Sequence, residues 1–116
     1  MKTVAVVTTT RAEYGLLAPV IKQLRKNESA DFRVELIVTG THLYDSYGLT
    51  VNEIKADNVR IDREVKIPVN SETKLDISKN QAQTLVSFSE LFLEKRYNAV
   101  VLLGDRYETL AIAIAA

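Results

Sequence analysis

Cysteine is absent from the 116-residue sequence. That excludes a disulfide framework and any thiolate metal site. Histidine occurs once, as His42, so a zinc site would have to be completed by carboxylates, and no metal is expected. Neither sign of charge is in excess, 15 Lys and Arg standing against 15 Asp and Glu. Nucleic-acid binders usually show a basic surplus, so no nucleic-acid partner is expected. A single anion pocket built from one or two arginines is still open. No run approaches the roughly 20 apolar residues of a membrane span. The N-terminal "MKTVAVVTTT" lacks the long apolar core and small-residue cleavage site of a signal peptide. The expectation is a cytoplasmic protein with no membrane partner. Two nucleotide signatures are also missing. No G-x-G-x-x-G follows the first apolar run, which argues against NAD or FAD, and no G-K-[ST] marks a P-loop. Paired acids at the end of the first strand would suggest a phosphoacceptor domain, but threonines stand there instead.

What is present is alternation. Val4 to Val7 is a short β-branched run without polar interruption, the pattern of a strand covered on both faces. Leu17, Val20, Ile21 and Leu24 then follow at helical spacing, which places Pro19 in the first turn, where its missing N–H costs little. "FRVELIVTG" reads as a second strand ended by Gly40, and "THLYDSYG" as a polar, aromatic loop. "LTVNEIKADN" reads as a short helix. "REVKIPV" reads as a third strand by alternation, with Val65, Ile67 and Val69 facing one way, and Pro68 makes it an edge strand or marks its end. A long helix follows, its face set by Ala82, Leu85, Val86, Ser89, Phe92 and Leu93 and widened by Phe88 and Leu91. These aromatic residues are core, not a cofactor box. "NAVVLLGD" is a fourth buried strand, and "RYETLAIAIAA" begins a last helix. A chain of this length suits one domain. Strands separated by helices imply an α/β, Rossmann-like, doubly wound parallel sheet, and the usual strand order is 3-2-1-4.

Ligands of such sheets bind beyond the carboxyl ends of the strands, where the strand order reverses. That point lies between the first and fourth strands, so "TTTRAEYG" and "GDRYE" become neighbours. Each turn has a glycine for tight geometry, an arginine with a planar bidentate donor and an immediately following helix whose free N–H groups favour an anion. Two such turns suit a diphosphate. Asp105 and Glu108 add carboxylates able to handle protons or sugar hydroxyls. Taken singly, the charges could merely close the sheet end as ion pairs, Arg11 with Asp105 or Arg106 with Glu13. Taken together they favour a ligand site. His42 lies on the same rim, more a loop hydrogen-bonder than a catalyst. Tyr44 and Tyr47 either cap the sheet edge or flank a ligand.

"TTTRAEYGLLAPVI", "VTGTHL" and "LLGDRYETLAIA" resemble, in order and spacing, the N-terminal part of the hydrolysing UDP-N-acetylglucosamine 2-epimerase family, whose members feed sialic and related nonulosonic acid synthesis. The resemblance implies one half of a glycosyltransferase-B-like fold, with the active site in the cleft between two domains. It implies elimination of UDP from UDP-N-acetylglucosamine, then hydration of the resulting 2-acetamidoglucal to N-acetylmannosamine. By match to the motifs, Arg11 and Arg106 contact the UDP portion, Gly15 sits at the first helix start, and Asp105 is an active-site carboxylate. Glu108 and His42 occupy motif positions as a second catalytic carboxylate and a substrate-binding residue. No cofactor is implied. The partners implied are the UDP-sugar and, in the full-length enzyme, a homo-oligomer. Residues 1–116 would form a single Rossmann-like domain truncated at its C-terminal end, the family's second domain being absent. Alone, such a piece is expected to be inactive. The competing expectations are a non-catalytic nucleotide-sugar-binding fragment and the N-terminal half of another glycosyltransferase-B-like enzyme. Leu110 to Ala116 carries no charge and no stop signal. A helix there is expected either to need cover on all sides or to dock as a short terminal helix on the sheet.

Overall fold

The uninterrupted run Val4–Val7 does form an interior strand, whereas the fourth strand, expected to be buried, is short, partly exposed and at the sheet edge. A computed structural model describes residues 1–104 and 106–116. Along the chain come β1 (Lys2–Thr8), α1 (Arg11–Lys26), β2 (Phe32–Thr39), α2 (Val51–Ala56), β3 (Arg63–Val65), α3 (Lys74–Glu94), β4 (Ala99–Val101) and α4 (Tyr107–Ala115). Two short 3-10 turns, Gly40–Leu43 and Asp45–Tyr47, fill the connection after β2. All strand pairs are parallel and the sheet order is β3-β2-β1-β4, as the alternation implied.

Successive strand residues point to opposite faces, so β1 and β2 supply two cores. Val6, Val34, Leu36 and Val38 pack under Tyr14, Leu17 and Ile21 of α1 and Val51 and Ile54 of α2. Ala5, Val7 and Ile37 pack under Phe88 and Leu91 of α3 and Ile112 of α4, with Ile67 beside them. The sheet is therefore covered on both sides and doubly wound. No helix among the described residues is long and apolar enough to cross a membrane.

Three local expectations are corrected. First, α1 starts earlier than its apolar pattern. Thr10 is the N-cap, its hydroxyl accepting the Glu13 N–H at 3.3 Å, a contact worth about 1 kcal/mol. Gly15 and Pro19 consequently lie inside the helix, not at its first turn, and Val20 faces outward while Tyr14 takes its place in the buried stripe. Second, β3 is only three residues long. Ile67 is buried beyond its end, so the alternation marked burial more than ladder pairing. Third, the inner face of α3 is Asn80, Thr84, Phe88 and Leu91. Ala82, Val86 and Leu93 are exposed. The helix is apolar on two opposite sides, and periodicity alone does not say which side meets the sheet. The aromatic residues decide it: Phe88 packs on Phe92 at 5.8 Å, and Phe92 packs edge-on against Tyr97 at 6.0 Å. Of the two alternatives for the last helix, α4 takes docking: Ala111 and Ile112 are buried, and Leu110 and Ile114 are exposed.

Candidate functional site

The carboxyl rim of the sheet is laced together by the three threonines that end β1. Thr9 donates both its N–H (3.1 Å) and its hydroxyl (2.6 Å) to Oε1 of Glu13, one turn into α1. Its carbonyl accepts the N–H of Thr41 at 3.0 Å and the Thr41 hydroxyl at 3.2 Å. The turn after β2 is thus tied to the turn after β1. Gly40 makes this contact possible: its φ is +65°, and a Cβ there would stand 2.6 Å from the Thr9 carbonyl oxygen. Thr10 caps α1, and Thr8 holds His42.

The turn after β4 closes on the same place. Gly104 has φ +109°, and a Cβ there would fall 2.6 Å from Oε2 of Glu13. The two charged turns therefore touch, through a buried carboxylate lying against a glycine. Arg106 is the N-cap residue of α4. Its Nε and Nη2 donate to the two oxygens of Glu108, at 3.1 and 3.2 Å. The Glu108 side chain is almost fully buried and that of Arg106 about half exposed. The carboxylate raises the guanidinium pKa above its ordinary value, with the nearby Glu13 charge adding to the effect.

The two arginines differ in how firmly they are held. Arg11, the first residue of α1, pairs with Glu53 of α2 at 3.0 Å, with side chains 73% and 48% exposed. Exposed pairs of this kind are worth about 0–1 kcal/mol, so Arg11 can exchange Glu53 for a ligand at little cost. Arg106 is fixed by a bidentate contact to a buried carboxylate and offers its remaining N–H donors from a set position. Of the ion pairs weighed from sequence, Arg106 takes Glu108, not Glu13; the pairing of Arg11 with Asp105 falls on a residue outside the described ones.

His42 is completely buried. Its Nε2 lies 2.9 Å from the Thr8 hydroxyl and its Nδ1 2.9 Å from that of Thr50. Each ring nitrogen thus meets a threonine hydroxyl, a group able to donate or accept, so the neutral ring is satisfied on both sides. Burial pushes the imidazole down to about 4, a hydrogen bond to the Thr10 backbone opposing only in part. His42 is thus a neutral brace between β1 and the segment leading into α2, with both nitrogens occupied. Thr50, its second partner, carried no signal in the sequence.

Gly15 is exposed, and a Cβ there would meet nothing within 4 Å, so the fold itself does not require glycine. Tyr44 caps the sheet edge: its hydroxyl donates to the Ile67 carbonyl at 2.7 Å, and Lys66 lies over its ring at 4.8 Å. Tyr47 is half exposed. With Pro68 and Asn70 these tyrosines line a cleft of about 580 Å³ on the same rim, whose one charged lining residue is Glu72. The cleft lining holds no Lys or Arg, and Arg11 and Arg106 stand at the starts of α1 and α4.

Residues 22–116 match the family described as UDP-N-acetylglucosamine 2-epimerase. The polysialic acid biosynthesis protein P7 of Escherichia coli is 39% identical over 116 residues, which cover 100% of this chain and 29% of that protein. The hydrolysing UDP-N,N'-diacetylbacillosamine 2-epimerase of Legionella pneumophila is 43% identical over 110 residues, 95% of this chain and 29% of that protein. Among solved structures, a UDP-GlcNAc 2-epimerase from Neisseria meningitidis bound to UDP-GlcNAc superposes with a TM-score of 0.76 at 20% identity. That match covers 99% of this chain and 29% of the other. The chain spans less than a third of the length of each of these proteins.

Proposed function

The chain belongs to the UDP-N-acetylglucosamine 2-epimerase family, and on that premise we propose that it forms the N-terminal part of a hydrolysing UDP-sugar 2-epimerase. The observation that carries this reading is the contact between the two charged turns, Glu13 against Gly104, with Arg106 beside them. It brings the starts of α1 and α4, and with them Arg11 and Arg106, to the same end of the sheet. In this reading the diphosphate sits at the N-termini of α1 and α4. Arg106 binds it from a fixed position and Arg11 turns to it from Glu53. Gly15 leaves the adjoining surface of α1 bare. His42 contributes to substrate binding from beneath, by fixing the Thr8–Thr10 turn.

The reaction proposed is loss of UDP from a UDP-activated 2-acetamido sugar. The bond from C1 to the diphosphate breaks, UDP leaves with the electron pair, and a proton leaves C2. Water then adds to C1 and a proton returns to the other face of C2. No electrons are gained or lost overall, so no redox cofactor is called for. Asp105 handles a proton in this scheme, and Glu108 acts through the Arg106 guanidinium it holds. A diphosphate-bearing sugar does not cross a bilayer unaided, which supports a cytoplasmic site of action. Two further proposals complete the reading: a second copy of the protein is its protein partner, and the 116 residues alone bind UDP without turning substrate over. Half a cleft cannot orient the sugar or exclude water.

The test is UDP binding by calorimetry, together with UDP release from UDP-N-acetylglucosamine and its 2,4-diacetamido counterpart by the parent-length protein. Arg11→Ala and Arg106→Ala should each weaken UDP binding roughly tenfold to a hundredfold, the loss of one charge-assisted contact of about 1.5–3 kcal/mol. Unchanged UDP affinity in both variants would remove the anion site. Turnover by the 116-residue chain above the uncatalysed background would show that the crevice is complete without more protein.

A further inference from the structure

Two carboxylates are buried among the described residues, Glu13 and Glu108, and both lie where the turns after β1 and β4 meet. Glu108 is taken up by Arg106, whose Nε and Nη2 donate to its two oxygens. Glu13 takes part in no ion pair among the described residues. Its Oε1 accepts from Thr9 twice. Its Oε2 is turned to Gly104, where a Cβ would come within 2.6 Å.

Helix capping explains only half of this arrangement. Glu13 stands three residues after the N-cap Thr10, the place from which a carboxylate commonly reaches back to the free N–H groups of a helix start. Asp76 does so in α3, accepting the Thr73 N–H at 3.1 Å, and it stays partly exposed. Glu13 reaches one residue further back, to Thr9, and its far oxygen lies against the turn of another strand. Burying a carboxylate is costly unless a positive charge faces it. The charge at hand is Arg106, two residues beyond Gly104. Glu108 raises the guanidinium above its ordinary pKa, and the Glu13 charge adds to that at longer range. One guanidinium thus stands against two buried carboxylates, and the balance is negative before a ligand arrives. That balance works against an incoming diphosphate and favours its departure, and departure of product is often the slow step of an enzyme.

We propose that Glu13 is a positioning residue with a counter-charge: it sets the turn that leads to Arg106 and lowers the affinity for the diphosphate, so that UDP leaves readily after each turnover. This rests on the reading above that the diphosphate sits at the starts of α1 and α4. Calorimetry on the parent-length protein with UDP, UMP and uridine tests it. Glu13→Gln keeps the length of the side chain, and its amide oxygen can still accept both bonds from Thr9. It should tighten UDP roughly tenfold, UMP less and uridine not at all, because the repulsion removed scales with the charge of the ligand. UDP should correspondingly inhibit turnover at lower concentration. Glu13→Asp keeps the charge on a shorter side chain and should leave UDP affinity at or below that of the wild type; it also decides the matter if the glutamine variant does not fold. A merely structural residue would weaken all three ligands in either variant. UDP affinity that is unchanged or weaker in Glu13→Gln, or tighter in Glu13→Asp, would overturn the counter-charge. Uridine affected as strongly as UDP would overturn it as well. A parent-length wild type that does not bind UDP would overturn the site itself, and this role with it.

Discussion

Gly40→Ala should destabilise the protein by about 2–5 kcal/mol, while Gly48→Ala should cost only about 1–2 kcal/mol. Both glycines have left-handed backbone, φ +65° and +84°, so both substitutions carry the steric cost of an L-residue in that region. Only at Gly40 does the new Cβ meet main chain. It would stand 2.6 Å from the Thr9 carbonyl oxygen and 3.2 Å from the Thr9 Cα, whereas at Gly48 nothing lies within 4 Å. Relief at Gly40 requires the β1 and β2 turns to separate. That breaks the two hydrogen bonds from Thr41 to Thr9 and moves the start of α1 on which Arg11 stands. Urea unfolding of the two variants checks the difference. Equal losses would mean that the turns are not held together at Gly40. Because the same contact positions the crevice, Gly40→Ala should also weaken UDP binding under conditions where it remains folded, and Gly48→Ala should not.

Acid should remove about 3 kcal/mol of stability through His42 alone between pH 6.5 and pH 4. The sign follows from which state takes up the proton. An unfolded imidazole titrates near its ordinary 6.5, whereas burial pushes the folded one down to about 4. Below 6.5 the unfolded chain binds a proton that the folded chain refuses. Stability is therefore complete above about 6.5, falls as pH drops towards 4, and loses nothing more from this group below that. Glu28 and Glu35, both held below the ordinary carboxylate value, add losses only at more acidic pH. For Glu28 the main cause is the N–H of Val34. Burial of Glu35 opposes its shift, which comes from Tyr97 and Lys95. His42 is the chain's single histidine, so its imidazole resonances are unambiguous. His42→Gln should be less stable than wild type at pH 7, because glutamine cannot brace Thr8 and Thr50 together, and the gap should narrow by about 3 kcal/mol on going to pH 4. Parallel profiles for the two proteins, or an imidazole titrating at its ordinary value, would show that the histidine is not sealed in.

The sequence by itself determined the parts whose causes are local. Val4 to Val7 is a strand covered on both faces because a β-branched run with no polar alternation leaves no side for water. Strands alternating with helices admit few topologies, so the order 3-2-1-4 and the meeting of the Arg11 and Arg106 turns were legible before any coordinates. Apolar spacing moved the expected start of α1 past Arg11, because Thr10, which caps the helix, stands ahead of the apolar pattern. Tertiary structure alone decided the rest. Arg106 chose Glu108 and Arg11 chose Glu53 because ion pairs are set by distances between elements, and spacing along the chain does not contain those distances. His42 became a sealed brace through Thr50, a residue with no mark in the sequence, because its environment is made by three segments at once. The sheet took the Phe88 side of α3, leaving Leu75, Val86 and Leu93 outside, because a helix apolar on two sides has two possible seats and the one that packs Phe88, Phe92 and Tyr97 together buries more.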